Sequence, residues 1–225
     1  MSQPRVLFED NHLLALEKPA GMPCVPDSSG DESLLDWGKR YIKEAYEKPG
    51  AVFLGVVHRL DRPVSGVVLF ARTSKAADRL TAQFREREVE KVYLAVARGG
   101  ALGEGGVLKQ WLWKDSAANR VYLATEDREG ARAAVTEWRA LERKDELTLL
   151  ELRPRTGRPH QLRVACKSLG APLAGDLKYG APEPLPDKSV ALHAALLAFS
   201  HPTKGERVEL SAGLPSAPVW RGWRR

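Results

Sequence analysis

Short apolar runs separated by polar turns set the rhythm of this chain. RVLFED and LLALEK, on either side of Asn11 and His12, read as two strands joined by a turn. The stretch PAGMPCVPDSSGDES is dense in Pro, Gly and Ser and reads as a loop. Ser33 or Asp31 is suited to cap a helix over about residues 34–48, with Leu34, Trp37, Tyr41 and Ala45 recurring on one face. AVFLGVV and GVVLFAR read as two strands apolar enough to be buried. SKAADRLTAQFRERE, from Ser74, puts Ala77, Leu80 and Phe84 on one side of a helix and charges on the other. KVYLAVARG follows as a strand.

From Gly106 to Arg153 the pattern is strand-rich: VLKQWLWK, RVYLATE, AAVTEWRALER and LTLLELRP, with alternation too partial to fix a register. In RTGRPHQLRVACKSLGAPLAG, Pro159 suits a first helical turn and Gly170 a helix end. ALHAALLAF and RVELSAG are late strands, and the tail SAPVWRGWRR is basic and aromatic. Strands cluster with few strand–helix–strand alternations. The expected fold is therefore α+β, with flanking helices on a mixed, largely antiparallel sheet. No shift in composition or repeat marks a boundary, so residues 1–225 are expected to form one domain.

Composition narrows the function classes. The chain has 225 residues, 43% hydrophobic and 28% charged, which suits a packed core and argues against wholesale disorder. A formal net charge of +6 favours a polyanionic partner. Cys24 and Cys166 match no CxxC spacing and read as reduced thiols. No segment approaches the ~20 apolar residues needed to span a bilayer, and MSQPRVLFEDNH has no signal-like apolar core. The expectation is a cytoplasmic protein, monomeric, with no membrane partner.

The chemistry gathers at VHRLDRPVSG, Val57 to Gly66, where Asp61 stands two residues from Arg59 and next to Arg62. An aspartate so placed is ordinarily a weak surface ion pair. Here it lies at the junction of two apolar runs. If partly buried, it needs a cation to stay ionised, and a paired carboxylate of that kind serves as nucleophile or base.

His58-Arg59-Leu60-Asp61 followed by Ser65-Gly66 resembles the HRLDxxTSG signature of the RluA-type pseudouridine synthases. EKVYLA, Glu90 to Ala95, resembles that family's K-x-Y-x-A strand, and RTGRPHQLR, Arg155 to Arg163, its TGRxHQ-hydrophobic-R block. LLALEKPAGMPCVP, GDLKYG and LHAALLAFSHP also look like family segments, so the similarity covers nearly the whole chain. Val64 replaces the usual Thr and lacks its hydroxyl, and Pro159 stands where a small polar residue is common. The motifs begin almost at Met1, so the S4-like RNA-binding module that many members carry before the catalytic domain is not expected.

The resemblance implies the pseudouridine synthase fold with a central RNA-binding cleft. It also implies conversion of uridine to pseudouridine in a ribosomal or transfer RNA stem-loop, without cofactor or metal. Asp61 would be the catalytic carboxylate, adding to ribose C1′, adding to C6 of the base, or taking a proton from C2′. Arg163 would pair with Asp61, and Tyr93 would pack on the uracil and assist loss of the C5 proton. The target must be extruded from its stack. Arg59 would fill the space it leaves, while Arg62, Arg155 and Arg158 contact phosphate. His160 and Gln161 complete the expected RNA contacts, and the basic residues around Arg85, Arg87 and WRGWRR extend them. Three rival readings are weighed against this one. A glycoside hydrolase would want two carboxylates about one bond. A non-catalytic RNA-binding module, or a basic ribonucleoprotein component, would not need Asp61.

Overall fold

The computed structural model describes residues 3–99 and 102–223. It contains eleven strands and three α-helices, and every strand pairing of assigned register is antiparallel. The expected α+β class is what forms. The chain divides into two compact units, residues 1–91 with 194–213, and residues 92–193 with 214–225.

In the first unit, β1 (Arg5–Glu9) and β2 (Leu13–Lys18) form the expected hairpin, turned at Asp10, whose carboxylate accepts from His12 and Leu13 N–H. The strand order is β1-β2-β4-β10, with β4 at Ser65–Ala71 and residues 194–200 of β10 (Leu192–Ser200). β3 (Gly55–Val56) adds to β4, and β11 (Arg207–Ser211) adds to β10. Helix α1 spans Leu34–Ala45 and α2 spans Ser74–Glu86, capped by the hydroxyls of Ser33 and Thr73.

β2 is buried on both faces. Leu13 and Ala15 join Val67, Leu69 and Ala71 of β4 against Ala76 and Leu80 of α2. Leu14 and Leu16 face Gly38 of α1, where an added Cβ would meet Leu54, Leu14 and Leu16 at 3.1–3.4 Å. That closeness overturns the expected helix face. Leu34, Gly38 and Ile42 are the buried row, while Trp37 stacks on Tyr41 at the margin and Ala45 is exposed. A pattern read by apolarity prefers Trp to Gly, whereas the packing needs the residue without a side chain. The apolar run AVFLGVV is likewise not a buried strand. Only Gly55 and Val56 pair, and Phe53 and Val56 are 53% and 41% exposed.

The second unit is a sheet in the order β5-β9-β8-β6-β7, formed by residues 92–98 of β5 (Glu90–Arg98), β6 (Gly105–Asp115), β7 (Arg120–Ala124), β8 (Arg132–Lys144) and β9 (Leu147–Pro154). A register shift between Ala140 and Glu142 explains the partial alternation along β8. Helix α3 (Gln161–Ser168) packs Val164 on Leu112, Val121 and Ala134. Gly170, at φ +73°, ends it as expected, while Pro159 falls one residue before the N-cap and outside the first turn. By sequence, the first unit holds 16 basic and 16 acidic residues and the second 19 and 13, so the second carries the whole excess of +6.

Candidate active site

In the first unit, HRLDRPVSG forms a tight turn in which Val64 N–H donates to the Asp61 carbonyl at 3.0 Å. Three neighbours hold it. Lys18, at the end of β2, is wholly buried, and its Nζ donates to the carbonyls of Pro19, Met22 and Arg62 at 3.0, 2.7 and 3.0 Å. Gly21 N–H donates to the same Arg62 carbonyl at 2.8 Å, and the Leu60 N–H donates to the buried Cys24 Sγ at 3.2 Å. One ammonium thus ties the Pro-rich loop to the turn that carries the carboxylate. Burial drives the Lys18 pKa down to about 8, against the pull of Cys24 and Asp61. Burial also pushes the Cys24 thiol up.

His58 is structural. Its Nε2 accepts from Leu69 N–H at 2.9 Å and its ring stacks on Phe84 at 4.8 Å. Burial first, and Lys91 second, push its pKa down to about 3, so the imidazole is neutral and free to act as an acceptor. Arg59 points outward and exposed, whereas Arg62 pairs with Asp27 and Asp31 of the loop. Val64 is 2% exposed, an environment where a methyl group packs without needing a partner.

In the second unit, Tyr93 lies on β5 opposite Leu152 of β9, partly exposed between the buried Val92 and Leu94. Arg163 is 6% exposed, so it is no surface arginine. Its Nε and Nη2 make a two-pronged pair with Asp176, 2.7 Å each, and its guanidinium lies 5.0 Å from the Tyr179 ring. The Val121 N–H donates to Tyr179 Oη at 2.8 Å, and that hydroxyl meets His160 Nδ1 at 2.7 Å. Desolvation raises the Tyr179 pKa and keeps the phenol neutral. His160 holds a left-handed backbone at φ +50° as the N-cap of α3.

Gln161 is 4% exposed. Its amide oxygen accepts from Thr156 Oγ1 and Arg158 N–H, and its amide nitrogen donates to Val135 O and Thr136 Oγ1. It braces the RTGRPHQ turn from inside. Arg155 is exposed and paired with Glu137, and Arg158 Nε donates to the Ala133 carbonyl at 2.9 Å.

The structure thus gathers Arg59, Asp61 and Arg62 in one unit, and Tyr93, Arg155, Arg158, His160, Gln161 and Arg163 in the other. Lys18, Asp176 and Tyr179 join them without having been singled out, although the segments LLALEKPAG and GDLKYG contain all three. Among the described residues no cluster of three or more His, Cys, Asp or Glu is arranged to hold a metal, and no helix is long and apolar enough to cross a membrane. Both cysteines are buried and free, and burial pushes the Cys166 thiol up to about 12. Two residues of the basic tail, Arg224 and Arg225, lie outside the described residues.

Comparison with known proteins agrees across the chain. Residues 12–168 match the family described as RNA pseudouridylate synthase. The RNA pseudouridine synthase YlyB of Bacillus subtilis is 34% identical over 211 residues, 93% of this chain and 69% of that protein. Ribosomal large subunit pseudouridine synthase D of Xanthomonas campestris is 37% identical over 226 residues, 93% of this chain and 66% of that protein. The chain therefore spans about two thirds of these relatives' length. Among solved structures, human RNA pseudouridylate synthase domain containing 4 superposes with a TM-score of 0.78 at 26% identity, covering 94% of this chain and 88% of that one. With one family matched through both the carboxylate turn and the arginine helix, the chain belongs to the RNA pseudouridylate synthases, isomerases that act on uridine in RNA.

Proposed function

We propose that this protein converts specific uridines of structured RNA, ribosomal or transfer, to pseudouridine, with Asp61 as the catalytic carboxylate and the target nucleotide flipped out of its stack. The observation that carries this reading is the turn itself. Asp61 sits on a backbone whose carbonyl at Arg62 is held by two donors and whose N–H at Leu60 donates to the buried, neutral thiol of Cys24. A reacting group on so fixed a backbone loses little orientation entropy when substrate binds.

The reaction breaks the N1–C1′ bond, joins C5 to C1′ and expels the C5 hydrogen. Asp61 can serve by adding to C1′, by adding to C6, or by taking the C2′ proton. Tyr93, partly exposed on a rigid strand, packs on the uracil and assists departure of the C5 proton. Arg163, already neutralised on one side by Asp176, contributes positive potential to the carboxylate's ionised form. Arg59 fills the gap in the RNA stack, and Arg62, Arg155, Arg158 and His160 contact the backbone. The names of the relatives point toward ribosomal RNA. The protein acts as a cytoplasmic monomer without metal or cofactor.

Tritium release from RNA labelled at uridine C5 tests the reading. Wild type is expected to release label, and Asp61→Asn is expected to bind the same RNA within a few-fold while releasing none. Parallel loss of binding and turnover would mean that Asp61 holds the fold instead.

A further inference from the structure

The sheet of the second unit has two unlike faces. One is covered: Leu112, Val121 and Ala134 pack with Val164 and Tyr179, and Gln110 donates to Ser168 at the end of α3. Alternation along β6 puts Lys109, Trp111 and Trp113 on the other face. The register extends it, with Trp113 opposite Tyr122 of β7, and Trp111 and Lys109 opposite Ala133 and Val135 of β8. The Trp113 and Tyr122 rings are 6.1 Å apart. The Arg128 guanidinium lies 3.9 Å over Trp113, and that of Arg120, which donates to the Lys178 carbonyl, lies 5.7 Å from both the Tyr122 and the Tyr179 rings. Tyr122 is 42% exposed, Lys109 is exposed, and both tryptophans keep part of their surface in solvent.

This face runs directly into two residues already assigned to phosphate. Arg158 donates to the carbonyl of Ala133, the register partner of Trp111, and Arg155 pairs with Glu137, two residues beyond Val135 on the same side of β8. Lys109, Arg128, Arg155 and Arg158 line it together with Asp115 and Glu137, and Glu126, Asp127 and Glu129 flank Arg128 in sequence, in the unit that holds all of the chain's net charge. Part-exposed aromatic rings interleaved with cations suit single-stranded nucleic acid. Every base offers a face to stack, and every nucleotide brings a phosphate. A protein partner would favour a core poor in charge, which this face is not.

We propose that this face is a second RNA-binding surface. Unpaired nucleotides flanking the modified element stack on Trp111, Trp113 and Tyr122, and their phosphates meet Lys109 and Arg128. The inference rests on the RNA-modifying reading above, which supplies the polyanion.

The test compares one RNA hairpin substrate with and without a short uridine-rich single-stranded flank, at fixed salt. The flank is expected to tighten wild-type binding about tenfold, the yield of roughly one to two stacked bases. The double variant Trp113→Ala/Tyr122→Ala is expected to lose that gain and to keep the wild-type rate of tritium release on the unflanked hairpin. Lys109→Glu/Arg128→Glu, which leaves the rings in place, gives a second measure and is expected to lose the gain as well, with unchanged circular dichroism. No flank effect in wild type, or an effect that survives both double variants, overturns the proposal. So does concentration-dependent self-association that the variants abolish without any flank effect, since the face would then join two copies of the chain. Absence of binding and turnover with every RNA, flanked or not, overturns the underlying reading as well and is distinguished by the unflanked control.

Discussion

Lys18 is the residue on which the carboxylate turn depends most. Its ammonium donates to three carbonyls, and one of them belongs to Arg62, 44 positions away in sequence. Lys18→Met keeps the volume of the stem and removes the donor. The two carbonyls of Pro19 and Met22 then lose their side-chain partner, at a cost of a few kcal/mol. The expected result is a lower urea midpoint together with reduced turnover; an unchanged midpoint would show that water replaces the ammonium without loss. His58 makes a prediction in pH. The unfolded imidazole takes a proton near 6.5 and the folded one only near 3, so across that window the unfolded state binds more protons. Stability contributed by the neutral ring is present above pH 6.5 and drains away as pH falls toward 3, by a few kcal/mol in all. His58→Gln, which keeps an acceptor and cannot titrate there, should flatten the fall measured by urea unfolding between pH 6.5 and 4. An equally steep fall would assign the acid sensitivity to other groups. At this scale the sequence exposes Asp61 because its motif is contiguous. It hides Lys18 and Asp176 because a charged residue at the end of an apolar strand, or in a Gly-rich turn, ordinarily points to water. Only the folded chain shows that both are buried and paired.

Among the elements, β4 is the one that tolerates least change. Its seven residues are all buried, and it begins at the end of the Asp61 turn. Gly66 adopts φ +120°, and a Cβ there would stand 2.3 Å from the Ala194 carbonyl oxygen and 2.5 Å from its nitrogen. Both atoms are backbone of the neighbouring β10, so neither can swing aside. Gly66→Ala is therefore expected to separate β4 from β10 locally and to cost several kcal/mol, combining a forbidden backbone region with overpacking. A thermal midpoint within 2–3 °C of wild type, about the shift expected from a 1 kcal/mol change in a domain of this size, would refute that geometry. The sequence makes strands legible where apolar runs sit between turn residues, as in β1, β2, β5, β9 and β10. It misleads at AVFLGVV, where Leu54 alone is buried and the rest of the run is a part-exposed connection, and on α1, where Gly38 and not Trp37 meets the core. Periodicity reports which residues dislike water. It does not report where two backbones must approach.

On the scale of the whole molecule, charge is partitioned as secondary structure is not. The first unit is neutral by count, and exposed cations such as Arg85 and Arg207 pair with Glu86 and Glu90. The second unit holds the excess. A net charge of +6 read from composition predicts a polyanionic partner without saying which surface meets it, and the fold supplies that direction. The contribution of each phosphate contact appears in the salt dependence of binding, where a lost contact reduces the slope of log K against log salt by roughly 0.7–0.9. Arg155→Ala/Arg158→Ala, in the second unit, should flatten that slope by about one to two contacts. Lys75→Ala/Arg85→Ala on α2 removes equal formal charge from the neutral unit and should leave the slope unchanged. Long-range attraction falls off over about 8 Å at physiological ionic strength, so charges away from the RNA contribute little once salt is present. Equal flattening by the two pairs would mean that RNA binding draws on the total charge and not on its placement. In that case the helix around Arg85 and Arg87 belongs to the RNA surface as fully as the arginines of the RTGRPHQ turn.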